Sequence, residues 1–382
     1  MKFIHLSDLH LGKRLNEFSL IEDQEYILNK IINIIDDEKP DAVIIAGDIY
    51  DKPVPPAEAV RLFDDFLCSL ALRRLQVFVI SGNHDSAERI AFGSRLMDKS
   101  GIHMAPVYDG NAAPVSLEDE YGIVDVYMLP FVKPAGVRRL FKDEQIDSYT
   151  DALRACVKNM NVDSSHRNIL VTHQFVTGAL RSDSEEISIG GADNVDAAVF
   201  GDFDYTALGH IHRPQMMGRP AMRYCGTPLK YSVSEWNQEK TLTEIELREK
   251  GSQPVITEIP LHPLRSVKVI RGKLEDIIAE AEKVQRKEKN VCQDYVSVML
   301  TDEQDPYQPK ERLEALFPQI LEVRMDNSRT SHQEWMDEDT DTITDPREVF
   351  QRFFLQMQGR EMDEEEQQIL EEVFMRVEEE SR

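Results

Sequence analysis

The sequence predicts an α/β fold of layered strands flanked by helices, followed by a small α+β unit and C-terminal helices. Three observations predict it. Short apolar runs alternate with amphipathic stretches through the first two thirds of the chain. Five short polar motifs each come directly after such a run. Near residue 262 the texture changes, and the elements beyond it make a small unit of their own.

The apolar runs are Phe3–Leu6, Ala42–Ala46, Val77–Ile80, Val124–Leu129, Ile169–Val171 and Tyr205–Leu208. Several are rich in β-branched residues, as buried strands are. Between them, Glu22–Asp36 and Pro56–Leu72 carry helical periodicity. In the second, Val60, Phe63, Phe66, Leu67 and Leu70 recur at helical spacing behind Pro55 and Pro56. Strands alternating with helices make layers with a shared core. The first unit is therefore expected over residues 1–262.

Beyond it, Val267–Arg271, Tyr295–Leu300 and Ile320–Met325 read as strands, with helices over Leu274–Gln285 and Pro309–Leu316. This predicts a separate α+β unit over 263–327. Residues 328–346 are polar, acidic and without periodicity, which predicts a linker. Two helical patterns, Arg347–Gln358 and Asp363–Glu379, close the chain. Phe350, Phe353 and Phe354 lie in the apolar stripe of the first, and Phe374 in that of the second. Reached through an acidic linker, such stripes suit docking in a partner's groove. Packing back on the body is the other explanation.

The formal net charge of −26 argues at first against a polyanionic partner. It is unevenly spread, since residues 334–382 alone hold 17 acidic and 5 basic side chains. Part of the rest is a cluster of acids that cations would neutralise. No stretch approaches the roughly 20 apolar residues of a membrane helix. The start, MKFIHLSDLH, has no charged-then-apolar signal pattern, so a cytoplasmic protein is expected. Cys68, Cys156, Cys225 and Cys292 form no C-x-x-C pair and read as scattered buried thiols.

The five motifs are Asp8-Leu9-His10, Gly47-Asp48-Ile49-Tyr50-Asp51, Gly82-Asn83-His84-Asp85, Thr172-His173 and Gly209-His210-Ile211-His212. Singly, each has an ordinary explanation as turn chemistry or a strand edge. Together they predict convergence, because loops after the strand ends of an α/β sheet face one crevice. Carboxylate, imidazole and amide oxygen donors suit borderline divalent ions such as Mn²⁺, Fe²⁺ or Zn²⁺. Two ions about 3.5–4 Å apart need a bridging oxygen, and such a pair activates water for attack on a phosphoryl group. A further histidine nearby can protonate the leaving oxygen. The remaining histidines (His5, His103, His166, His262 and His332) have no motif and are expected in core or surface roles.

This series resembles that of the calcineurin-like metallophosphoesterases. Within them, His5–Gly12, Ala46–Asp51 and Tyr224–Tyr231 resemble the SbcD family, the nuclease subunits of bacterial SbcCD complexes. The motif match covers about residues 1–235, and the later parts match by order and texture. The resemblance implies a metallophosphoesterase β-sandwich with a capping, DNA-recognition unit. It implies that Asp8, His10, Asp48 and His212 hold one ion and Asp48, Asn83, His173 and His210 the other, with Asp48 bridging. His84 matches the catalytic histidine and Asp51 the carboxylate that orients it. Archaeal and eukaryotic relatives have histidine at the Asp51 position, so their exonuclease details do not transfer. Asp85 is left open between a supporting hydrogen bond and a turn role.

The implied activity is Mn²⁺-dependent cleavage of DNA in repair, recombination and replication: exonuclease on double-stranded ends, endonuclease on single strands and hairpins. The implied partners are an SbcC-type coiled-coil ATPase, docked by the terminal helices, and a second copy of the chain. Pro56–Leu72 with Ile90–Met97 is a candidate contact for that homodimer. No Gly-x-x-x-x-Gly-Lys-Ser/Thr occurs, so the chain itself is not expected to hydrolyse ATP. Lys13, Arg14, Arg89 and Arg213 follow the motifs and are candidates for phosphate contact, or else ordinary loop charge. A phosphatase of the same fold shares the metal motifs. An inactive scaffold is disfavoured by the complete ligand set.

Overall fold

The chain is described by a computed structural model, which covers residues 1–185, 194–288 and 291–327 and isolated positions between 351 and 370. Strand β1 (Lys2–Leu6) leads through a small hairpin, β2 (Arg14–Leu15) and β3 (Phe18–Ser19), into helix α1 (Ile21–Glu38). Then follow β4 (Ala42–Ala46), α2 (Ala57–Leu72), β5 (Gln76–Ile80), the single turns α3 (Ala87–Ile90) and α4 (Ser94–Met97), and β6 (Ile102–Ala105). The hairpin β7 (Val115–Asp119) and β8 (Gly122–Leu129) opens a second half. It continues through α5 (Pro134–Leu140), α6 (Tyr149–Asn159), β9 (Arg167–His173) and β10 (Tyr205–Gly209) to the hairpin β11 (Gln215–Met217) and β12 (Arg219–Tyr224). A last hairpin, β13 (Thr241–Glu246) and β14 (Val255–Pro260), returns to the start.

These strands form two six-stranded sheets, ordered β14-β13-β1-β4-β5-β6 and β11-β12-β10-β9-β8-β7. The central strands of each are parallel. Parallel strands covered on both faces need apolar side chains throughout, which is why AVIIA of β4 is buried along its whole length. Alternation sorts those side chains between layers. Phe3, Ile44, Phe78, Ile169 and Val171 meet between the sheets. Ile4, Val43, Ile45, Val77 and Val79 face outward onto Ile27, Ile31, Phe63 and Phe66 of α1 and α2. On the far side Tyr127, Leu170 and Leu208 pack under α5 and α6. The result is four layers, helix–sheet–sheet–helix.

β15 (Val267–Gly272), α7 (Leu274–Glu288), β16 (Tyr295–Leu300), α8 (Pro309–Glu314) and β17 (Ile320–Met325) make a parallel three-stranded sheet with its own core. It is tied to the first body near β3 and α1. Tyr295 donates its hydroxyl to Asp23 Oδ2 at 2.8 Å, Arg265 pairs with Asp23 at 2.9 Å, and Asn16 Nδ2 donates to Leu321 O at 2.9 Å.

The expected linker, 328–346, lies outside the described residues, as do Phe350, Phe353 and Phe374. Phe354 is helical and half-buried, and Leu370 is buried. Cys68 is exposed, against the expectation of buried thiols, because α2 turns that position away from the sheet. Among the described residues no helix is long and apolar enough to cross a membrane.

Candidate metal centre

The five motifs sit at the C-terminal ends of β1, β4, β5, β9 and β10, three strands from one sheet and two from the other. The crevice therefore opens along the edge where the sheets meet. The chain turns sharply there. Asp8, His10, Asp48 and His210 all have positive φ, of 52°, 44°, 49° and 103°. That region is costly for residues with a Cβ, and such strain gathers at functional sites. The flanking glycines permit the crowding. A Cβ on Gly209 would lie 2.0 Å from Ala46 O and 2.6 Å from His173 Nδ1, and Gly47 has φ +89°.

Asp8, His10, Asp48, His173 and His212 are almost wholly buried. Their donor atoms converge in three overlapping groups: Asp8 with His10 and His212, His10 with Asp48 and His84, and Asp8 with Asp48 and His173. Within each group the donor atoms lie within 4.8 Å of one another. Asn83 Oδ1 is 3.1 Å from His173 Nε2 and 2.9 Å from His210 Nδ1. His10 Nε2 faces His212 Nε2 at 3.1 Å. All seven candidate ligands thus meet in one place.

The electrostatics fit cations there. Burial pushes the Asp8 carboxyl up despite its neighbouring histidines. Burial also opposes ionisation of Asp48, but the facing His173 outweighs it and holds Asp48 well below the usual carboxylate range. His173 in turn is raised to about 9, since Asp48 and Asp8 outweigh its burial. His210 is lowered to about 3 by burial and then by His173. His10 Nδ1 and His210 Nε2 are buried without a hydrogen-bond partner. Buried charges and orphaned ring nitrogens are costly unless paired or bound to metal. The donor set, oxygen and imidazole without thiolate, suits divalent ions.

The surrounding hydrogen bonds aim these groups. Ala46 O accepts from His173 Nδ1 at 2.8 Å, which turns Nε2 inward toward Asp48. The main-chain N–H of His84 donates to Asp48 Oδ1 at 2.9 Å. Asp85 accepts from the N–H groups of Ile49, Tyr50 and Gly82 at 3.1, 3.0 and 2.9 Å. It therefore ties the loop after β4 to the loop after β5 and also closes its own turn through Gly82. Burial and then Asp48 raise its carboxyl to about 6.

One contact differs from expectation. His84 Nδ1 meets the main-chain oxygen of Asp51 at 3.1 Å, not its carboxylate. That carboxylate instead holds Lys13 Nζ at 2.7 Å. The loops after β1 and β4 run side by side, so the ammonium reaches it first. Of the other basic candidates, Arg14 donates to Glu17 O, and Arg89 and Arg213 are exposed.

Sequence reasoning missed several supporting residues. Gln24 Nε2 donates to His10 O at 2.8 Å. Ser184 and Glu185 hold His212, and Glu235 pairs with Lys240 behind them. None lies in a motif. A partial signal was the Tyr224–Tyr231 segment, which runs behind the site. Tyr224 donates to Gln174 O at 2.7 Å, Thr227 N to His212 O at 3.1 Å, and Tyr231 to Leu9 O.

The calcineurin-like phosphoesterase family matches residues 1–214, and the type 5 capsule protein repressor C-terminal domain matches residues 260–358. The SbcD component of nuclease SbcCD from Staphylococcus epidermidis is 36% identical over 351 residues, which is 90% of this chain and 91% of that protein. The chain belongs to the SbcD nuclease family. The SbcD protein of Staphylococcus saprophyticus is also 36% identical, over 84% of each chain. As a member of that family the chain is a metal-dependent phosphodiesterase of the nuclease type, and the cluster above is where divalent ions fit.

Proposed function

We propose that the chain is the DNA-cleaving subunit of an SbcCD-type complex and works with two Mn²⁺ ions. Asp8, His10, Asp48 and His212 would hold one ion, and Asp48, Asn83, His173 and His210 the other, with Asp48 shared. The observation that carries this reading is the meeting of all seven side chains in one buried place with His84 at its mouth. Bound there, the ions supply an activated water and neutralise charge on the phosphodiester.

The chain's own residues do the rest. A carbonyl only accepts, so His84 Nδ1–H donates to the main-chain oxygen of Asp51. His84 Nε2 is then turned toward the centre, 4.0 Å from Asp48 Oδ2. Protonated, that nitrogen would donate to the leaving oxygen. Asp51 supports His84 through its main chain, and its carboxylate anchors Lys13. Arg89, on the single turn α3, and Arg213, directly after His212, are exposed and suit contacts to flanking phosphates. Lys13 and Arg14 add positive charge at the same mouth.

An SbcC-type coiled-coil ATPase is the partner this reading requires. The stripes holding Phe350, Phe353, Phe354 and Phe374 are its proposed docking surface. A second copy is proposed to pack on α2 and the turns after it, supported by the exposure of Val60, Leu72, Phe92 and Leu96. The test is cleavage of linear DNA by the purified chain with Mn²⁺. His84→Ala should lower the rate about 10²–10⁴-fold while both ions remain bound. Full cleavage by that variant overturns the role of His84.

A further inference from the structure

His173 and His212 are aimed by different means. His173 leans on a main-chain carbonyl, whereas His212 leans on the side chain of Ser184. Ser184 Oγ lies 2.7 Å from His212 Nδ1 and 2.5 Å from Glu235 Oε1. Glu235 is wholly buried, and its second oxygen, Oε2, accepts from Lys240 Nζ at 2.6 Å. Lys240 is buried too, and the same ammonium donates to His212 O at 3.0 Å.

The proton inventory of this chain of contacts has one solution. A serine hydroxyl carries a single proton. The carboxylate of Glu235, paired with an ammonium, accepts it. The lone pairs of Ser184 Oγ then face His212 Nδ1, so that nitrogen must carry the ring proton. In the neutral ring that an ion ligand must be, His212 Nε2 then has the lone pair, directed at the space shared with His10 Nε2. A carboxylate behind the hydroxyl makes Oγ a stronger acceptor, and so makes His212 a more basic ligand.

We infer that Ser184, backed by the buried Glu235–Lys240 ion pair, is a positioning relay that fixes the tautomer of His212 and sets the affinity of one of the two ions. The inference rests on the proposed role of His212 as an ion ligand. Among the described residues, His173 Nδ1 meets Ala46 O and His210 Nδ1 meets Asn83 Oδ1, and neither ring has a hydroxyl–carboxylate relay. The effect should therefore fall on one ion and spare the other.

The test is titration of Mn²⁺ into the metal-free full-length chain, followed by calorimetry and by the electron paramagnetic resonance of free ion. Ser184→Ala leaves the Glu235–Lys240 pair intact, so its fold is not put at risk. It should weaken one ion about 10–100-fold and leave the other unchanged, and Ser184→Thr, which keeps the hydroxyl, should restore it. Glu235→Gln should weaken the same ion. His212→Ala is the control for the underlying reading: if it leaves both ions in place, His212 is not a ligand. If His212→Ala loses one ion but Ser184→Ala binds both as the wild type does, the relay is overturned. Equal weakening of both ions by Ser184→Ala overturns it as well, because that is general loosening of the site.

Discussion

Asp85 offers the sharpest quantitative test of how the site is held. Its carboxylate accepts three main-chain N–H groups from two different loops. Asp85→Ala would strip all three of their acceptor. A buried donor left unsatisfied costs about 1–3 kcal/mol. The position is only half-buried, so water reaches part of the gap and the low end applies, about 3 kcal/mol in all. Relief of the repulsion between Asp85 and Asp48 offsets some of this, which leaves about 2 kcal/mol. For a body of this size that corresponds to a fall in Tm of roughly 4–8 °C. Asp85→Asn keeps one acceptor oxygen but turns an amide N–H₂ toward a main-chain N–H, so it should fall between the two. Thermal unfolding of metal-free protein measures the stability change, and Mn²⁺ titration measures the separation of the two loops. A Tm for Asp85→Ala within a degree of wild type, with both ions bound normally, would refute the latch.

Other outcomes follow from the same geometry. Gly209→Ala should lose ion binding and lower Tm, because its Cβ meets the main-chain Ala46 O of β4 and the His173 ring; normal metal content by elemental analysis would contradict this. His173 is raised to about 9 in the metal-free centre, and an ion must displace that proton, so affinity should climb with pH up to about 9. Calorimetry near pH 7 in buffers of different ionisation heat should find about one proton released per chain, and a count of zero refutes it. Far from the site, Arg167 is buried and pairs with Asp119. Burial opposes ionisation of Asp119 but Arg167 outweighs it, so its folded pKa lies below the usual carboxylate range. The resulting stability is present above the unfolded value of about 3.9 and fades as pH falls through the folded value. Asp119→Asn should therefore lower Tm at pH 7, with the gap narrowing below about pH 4; a gap that does not depend on pH would count against the pairing.

Much of this was legible because the site is built from local signals. Each motif directly follows a run of buried residues, and strand period and turn chemistry are both local properties. The β-branched runs of β4, β5 and β9 and the strands of the smaller unit were readable for the same reason. What stayed hidden depends on distant pairing. Two sheets cannot be told from one by periodicity, since strands of either sheet alternate alike. β13, TLTEIE, lies beside β1 although more than 200 residues part them (Lys2 pairs with Glu246). β6 and β7 are short and partly exposed, so their pattern is faint. Ser184, Glu235 and Lys240 are ordinary polar residues until the fold brings them behind His212. Asp51 shows the limit of motif reading: its identity was informative, but which of its oxygens faces His84 was set by Lys13 from another loop.

The ends of this site are far apart in time as well as in sequence. His10 meets His212 across 202 positions and Asn83 meets His210 across 127. Under the proposed assignment, each ion takes a ligand from the loop after β10, the last of the five to leave the ribosome. An emerging chain can assemble β1, β4 and β5 early, since N-terminal portions fold first, yet neither proposed ligand set is complete until that loop has closed over the crevice. Contacts of such long separation form slowly. Cleavage would then wait for β10 and the loop after it, so a chain that has not yet reached residue 212 holds no complete centre.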